Sequence, residues 1–143
     1  MKDLVTLHRY WIWANRLRDL LDRVLAQRGM PTEESFPVWF ADDPGLLMSH
    51  WYAALYVVVE GYQELGLHDA GIDQLLASSY VDLLRRYRNG VCHFQRGYFD
   101  SRFIDFMGPP GTPAWVRKLN AEFGRFFLEQ LRNAGAESAG GPA

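Results

Sequence analysis

The run from Trp51 to Val59 limits the possible folds more than any other stretch of this chain. It lies in a segment that opens at Asp43-Pro44 and closes at Gly66. A carboxylate that can cap, followed by proline, suits a first helical turn, and glycine suits a helix stop. The helix expected over 44–65 is apolar on every face across that run, so it should be the central, most buried helix. Flanked by His50 and Glu60, the run is far shorter than the ~20 apolar residues that cross a bilayer. Glu60 follows directly on it. Either this carboxylate reaches water near the helix end, or it points into a site.

The flanking segments carry one apolar stripe each, as helices packed against a central one do. Leu4, Leu7, Trp11, Ala14, Leu17, Leu21 and Val24 recur at spacings of three and four, which predicts an amphipathic helix over 3–28. Arg18–Asp22 and Asp19–Arg23 are i,i+4 pairs on its wet side, and Gly29 and Pro31 end it. Residues 30–43 read as a loop in which Phe36, Val38 and Trp39 pack back as apolar anchors. A third helix starts at His68-Asp69 with the stripe Ile72, Leu76, Tyr80, Leu83, Tyr87 and Val91, and Gly90 loosens or ends it. After Asp100 there is room for a short helix before the breaker Gly108-Pro109-Pro110-Gly111. The last helix opens at Thr112-Pro113, turns Trp115, Leu119, Phe123, Phe126, Phe127 and Leu131 inward, and ends at Gly135. No period-two stretch of useful length appears, and Asn89-Gly90 lies inside a helical pattern, so it is not a hairpin turn. The expectation is one all-α domain over 1–135, an antiparallel up-and-down bundle of four main helices with room for one short helix, followed by a flexible tail over 136–143.

The net charge of −2 argues against a protein that coats nucleic acid non-specifically, since such proteins are usually basic overall. Any nucleic-acid contact must use a local basic patch. The lone Cys92 excludes an intramolecular disulfide and a cysteine-based zinc site, and it reads as a small buried apolar residue. No secretory signal is visible at Met1-Lys2-Asp3-Leu4. Together these readings give the expectation of a soluble, cytoplasmic protein without a membrane partner.

Strong ionisable groups gather at Arg88-Asn89-Gly90-Val91-Cys92-His93, with Arg85 and Arg86 before it and Arg96 and Arg102 after it. Asn89 and His93, four apart, share a helix face, and the long side chain of Arg88 reaches the same spot if Gly90 bends the backbone. A fixed cation, an amide and an imidazole can bind a phosphodiester and move protons around it. Arg-Asn-x-x-x-His at the end of an amphipathic helix, in a small all-α chain, resembles the HEPN superfamily. The likeness extends over most of the chain in helix order and over about six residues at the motif. It implies a metal-independent endoribonuclease that needs no cofactor and is a homodimer, with the motifs of the two subunits facing each other. Carried over residue by residue, Arg88 binds the scissile phosphate, His93 acts as acid or base at the 2′-hydroxyl or the leaving 5′-oxygen, and Asn89 orients one of them. Arg85 and Arg96 flank the substrate, and Glu60 is the candidate for a further polar residue on an earlier helix. The resemblance further implies RNA as substrate, tRNA included, and the setting of a toxin or phage-defence effector with an antitoxin or nucleotidyltransferase as partner.

Two other readings stay open. HEPN-like domains also include non-catalytic dimeric modules that bind RNA or protein. His8, His50, His68 and His93 raise a metal-binding bundle instead, although none of them forms a His-x-x-x-His or Glu-x-x-His pair. Taken singly, Arg88, Asn89 and His93 also suit an ordinary helix terminus.

Overall fold

A computed structural model describes residues 1–142. They form seven helices and no strand: α1 (Lys2–Arg28), α2 (Phe36–Ala41), α3 (Asp43–Glu64), α4 (Ala70–Leu76), α5 (Tyr80–Cys92), α6 (Ser101–Met107) and α7 (Thr112–Ala139). The central helix is α3. Trp51, Tyr52, Ala53, Leu55, Tyr56, Val58 and Val59 are all buried in it, as an all-round apolar run requires. It starts on Asp42, whose Oδ1 accepts the Asp43 N–H at 2.8 Å, so the cap is Asp42 rather than Asp43. Its end closes as a Schellman turn. Gly66, at φ +63°, lets its own N–H reach Gln63 O and the Leu67 N–H reach Tyr62 O.

α1 packs against α3 through Leu7, Ala14 and Leu21, the middle of its predicted stripe. The Arg18–Asp22 and Asp19–Arg23 pairs form at 2.7 and 2.9 Å. α7 closes the core with Trp115, Leu119, Phe123, Phe126 and Phe127. Asn120 joins the three long helices. Its Oδ1 accepts Trp51 Nε1–H, its Nδ2 donates to Asn15, and its carbonyl accepts Trp11 Nε1–H, each at 3.0 Å.

Four further expectations need correction. The supposed loop over 30–43 contains α2, in which Trp39 is buried and Phe36 half-buried, but Val38 faces solvent. The third helix is two helices, α4 and α5, separated at Ala77–Ser79. The Ser78 hydroxyl accepts the Tyr80 N–H, and Trp115 Nε1–H takes the Leu75 carbonyl, a partner that a continuous helix would need. Gly90 neither loosens nor ends α5. It is buried inside the helix, and a Cβ there would lie 2.9 Å from the Phe103 ring. The absence of that Cβ lets α6 lie close. Finally, α7 continues past Gly135 to Ala139.

Candidate functional site

α5 delivers the motif. Its inner face buries Leu84, Tyr87 and Gly90 against α3 and α6, which leaves Arg88 and Asn89 half-buried at the margin. The helix stops at Cys92. His93 is the C-cap in an extended conformation (φ −128°, ψ 132°), with its N–H on the Asn89 carbonyl at 3.1 Å. Its side chain is exposed. Cys92 is exposed too, which corrects the buried reading. It sits five positions beyond the buried Tyr87, roughly 140° round the helix.

The structure brings Arg88 to Glu60. Nη2 donates to Oε1 at 3.1 Å and Nη1 to Oε2 at 3.4 Å. The guanidinium also lies over the Tyr56 ring, 4.9 Å from its centroid. Glu60 and Tyr56 are four apart on α3, so one face of that helix supplies both the carboxylate and the ring. Burial first, and the Glu60 charge second, raise the Tyr56 hydroxyl above the ordinary phenol value, which keeps it neutral. Glu60 reaches water, with 42% of its side chain exposed, while it holds Arg88. Its pairing makes it a partner of Arg88 rather than an independent group. The side chain of Arg88 is 24% exposed, yet its Nε is buried and has no hydrogen-bond partner.

No side-chain hydrogen bond joins Arg88, Asn89 and His93 to one another among the described residues. The expected arginine cluster is largely neutralised. Arg85 pairs with Asp82, Arg86 with Asp105 and Arg102 with Asp100, at 2.6, 2.7 and 3.0 Å. Of the five arginines over 85–102, Arg96 alone has no carboxylate partner among the described residues. On its other side Glu60 borders a groove of about 320 Å³ between the start of α1 and the end of α3. Asp3 and Glu64 also line it, and such a rim repels phosphate.

The four histidines do not converge. His8 packs on Trp11 and Phe127, with ring centroids 5.9 and 5.1 Å away. His68 faces Asp73 at 3.3 Å. His50 lies exposed on α3, and His93 on the end of α5. No group of three His, Cys, Asp or Glu side chains among the described residues could hold a metal ion. Nor is any helix among them long and apolar enough to cross a membrane.

Tyr56 is a core residue, as the apolar run over 51–59 implies, and the sequence reading missed only that its ring also faces Arg88. Its four-residue spacing from Glu60 is the signal that could have identified it. No family model, curated protein or solved structure matches this chain.

Proposed function

We propose that this protein is a metal-independent endoribonuclease of the HEPN type, acting in the cytoplasm as a homodimer. In this reading α1, α3, α5 and α7 are the four members of an antiparallel up-and-down bundle. The carrying observation is the end of α5, where Asn89 and a partly exposed Arg88 occupy the last turns and His93 stands in solvent just beyond. Arg88 contacts a non-bridging oxygen of the scissile phosphate and stabilises the charge that grows there. The 2′-hydroxyl attacks phosphorus in line and loses its proton to an imidazole. The P–O5′ bond breaks, and the 5′-oxygen gains a proton as the 2′,3′-cyclic phosphate forms. One imidazole performs one of these transfers and the second copy's imidazole the other, which makes the dimer part of the mechanism. Asn89 orients His93 or the phosphate, and Arg85 and Arg96 bind flanking phosphates. Glu60 acts through Arg88. A toxin or phage-defence role, with an antitoxin or nucleotidyltransferase partner, is the setting we propose.

One observation favours a second reading. Glu60 already takes up the fork of Arg88, which suits a dimeric module that binds RNA or protein without turnover. The deciding experiment incubates wild type and His93→Ala with tRNA and total RNA in EDTA and examines the fragment ends. Wild type should leave cyclic phosphates, and the variant should be slower by roughly 100-fold or more. Absence of cleavage by both folded proteins would overturn the first reading and leave the second to be tested by RNA binding.

A further inference from the structure

Beyond His93 the chain runs Phe94-Gln95-Arg96-Gly97-Tyr98-Phe99 without a carboxylate. This connection is pinned at several points. Gln95 donates to the His93 carbonyl at 2.9 Å and accepts from Arg102 at 3.1 Å. The Tyr98 hydroxyl donates to the Pro37 carbonyl at 2.6 Å. Phe99 stacks on Phe36 and Phe40. Asp100, the first acidic residue after it, is held by Arg102. Phe94, in contrast, is 92% exposed, the most exposed of the large apolar side chains. Arg96, two positions on, is exposed and is the unpaired arginine described above.

A loop held at Gln95, Tyr98 and Phe99 presents these two side chains without having to order itself on binding. Full exposure of a phenylalanine runs against its burial preference, and an exposed ring two positions along the chain from an exposed guanidinium without a carboxylate partner is a combination that takes a nucleotide. The ring stacks a base, and the cation meets its phosphate. We infer that Phe94 and Arg96 form a subsite for one unpaired nucleotide next to His93. A base inside a duplex is stacked on both faces and leaves no face for Phe94. This inference rests on the ribonuclease reading and adds a binding subsite to it. Charge decides the occupant: an unpaired arginine in a segment free of carboxylates complements a phosphodiester chain.

The test measures binding of a short 2′-O-methyl oligouridylate, which cannot be cleaved at the 2′-oxygen, single-stranded and annealed to its complement. Phe94→Ala should weaken single-strand binding about tenfold or more with an unchanged melting temperature, and Phe94→Trp should restore it. Arg96→Ala should lower the slope of log Kd against log salt by about 0.7, the value for one phosphate contact on a single strand. Unchanged binding by Phe94→Ala, or a preference of wild type for duplex, overturns the subsite while cleavage of RNA in EDTA leaves the ribonuclease intact. If wild type neither binds nor cleaves any RNA, both fall. If Phe94→Ala instead turns a dimer into monomers in sedimentation, the ring belongs to an interface between copies and the inference is overturned.

Discussion

At the scale of single residues, Arg88 decides how the motif can work. A guanidinium offers five donors in a fixed plane. Here Glu60 takes one from each terminal nitrogen, Tyr56 covers a face, and Nε is buried. A phosphate can meet only what remains of the terminal nitrogens, with a negative charge beside it. Glu60→Gln keeps an acceptor for Arg88 and removes that charge. With 24% and 42% of the two side chains exposed, the pair lies between a surface and a buried ion pair, so the loss of stability should be about 1 kcal/mol. RNA affinity at fixed salt should rise severalfold. Unchanged or weaker RNA binding would mean that Glu60 orients Arg88 rather than opposing the phosphate. The motif residues themselves were readable in the sequence because Arg88, Asn89 and His93 are local. Which carboxylate and ring would meet Arg88 was not, because that depends on the crossing of α3 and α5. For the same reason the arginines looked like a free cluster. Asp82 is near in sequence, but Asp105 reaches Arg86 only once α6 lies against α5.

At the scale of elements, the helices that were easy to read are those with unbroken stripes. Leu7, Ala14 and Leu21 on α1, and Trp115, Leu119, Phe123, Phe126 and Phe127 on α7, are buried as their spacing requires. The break between α4 and α5 was hidden because Ile72, Tyr80 and Tyr87 keep the helical period across it. At the break the Ser78 hydroxyl accepts the Tyr80 N–H, and a tryptophan on α7 shares the Leu75 carbonyl with the Ser78 N–H, a contact that periodicity has no means of showing. Gly90 shows the opposite limit. Its composition signal is that of a breaker, but its role is to let a ring approach. The ring of Phe103 is itself wedged against Tyr87 and Phe40, with centroids 5.3 and 5.6 Å away, so it has little room to give. Gly90→Ala gains roughly 1 kcal/mol of helix propensity, but the methyl group would meet Phe103 at 2.9 Å and Arg102 Cβ at 3.3 Å. Overpacking should win, for a net loss of about 1 kcal/mol in chemical denaturation. A more stable variant would show that α6 moves away freely.

At the scale of the whole molecule, polar groups tie the long helices together over an aromatic core. Arg117 on α7 grips Asp22 on α1 at 2.7 Å, and Arg125 on α7 grips Asp69, the N-cap of α4, at 2.6 Å. In each case the hydrogen bond to the arginine is the largest influence and holds the carboxyl below the ordinary aspartate range. The unfolded chain therefore binds more protons than the native one as acid is added. The stability from both contacts is fully present above about pH 5 and falls as pH drops through the aspartate range. His8 acts in a higher window. Burial against Trp11 and Phe127 lowers its pKa, so the folded protein resists a proton that the unfolded chain accepts. That contribution is fully present above the ordinary histidine value near 6.5 and is lost as pH falls from there through the lowered value of the folded protein. The melting temperature, followed by circular dichroism, should thus be flat around neutrality, slope gently down below the ordinary histidine value, and drop more steeply once the aspartate range is entered. His8→Phe keeps the ring stack and should abolish the gentle slope alone. Asp69→Asn should lower the melting temperature at neutral pH and flatten the steep limb. A steep limb unchanged in Asp69→Asn would remove this clamp as a source of acid sensitivity and leave Asp22 and the helix-capping Asp42 and Asp100, whose carboxyls are also held below the ordinary range.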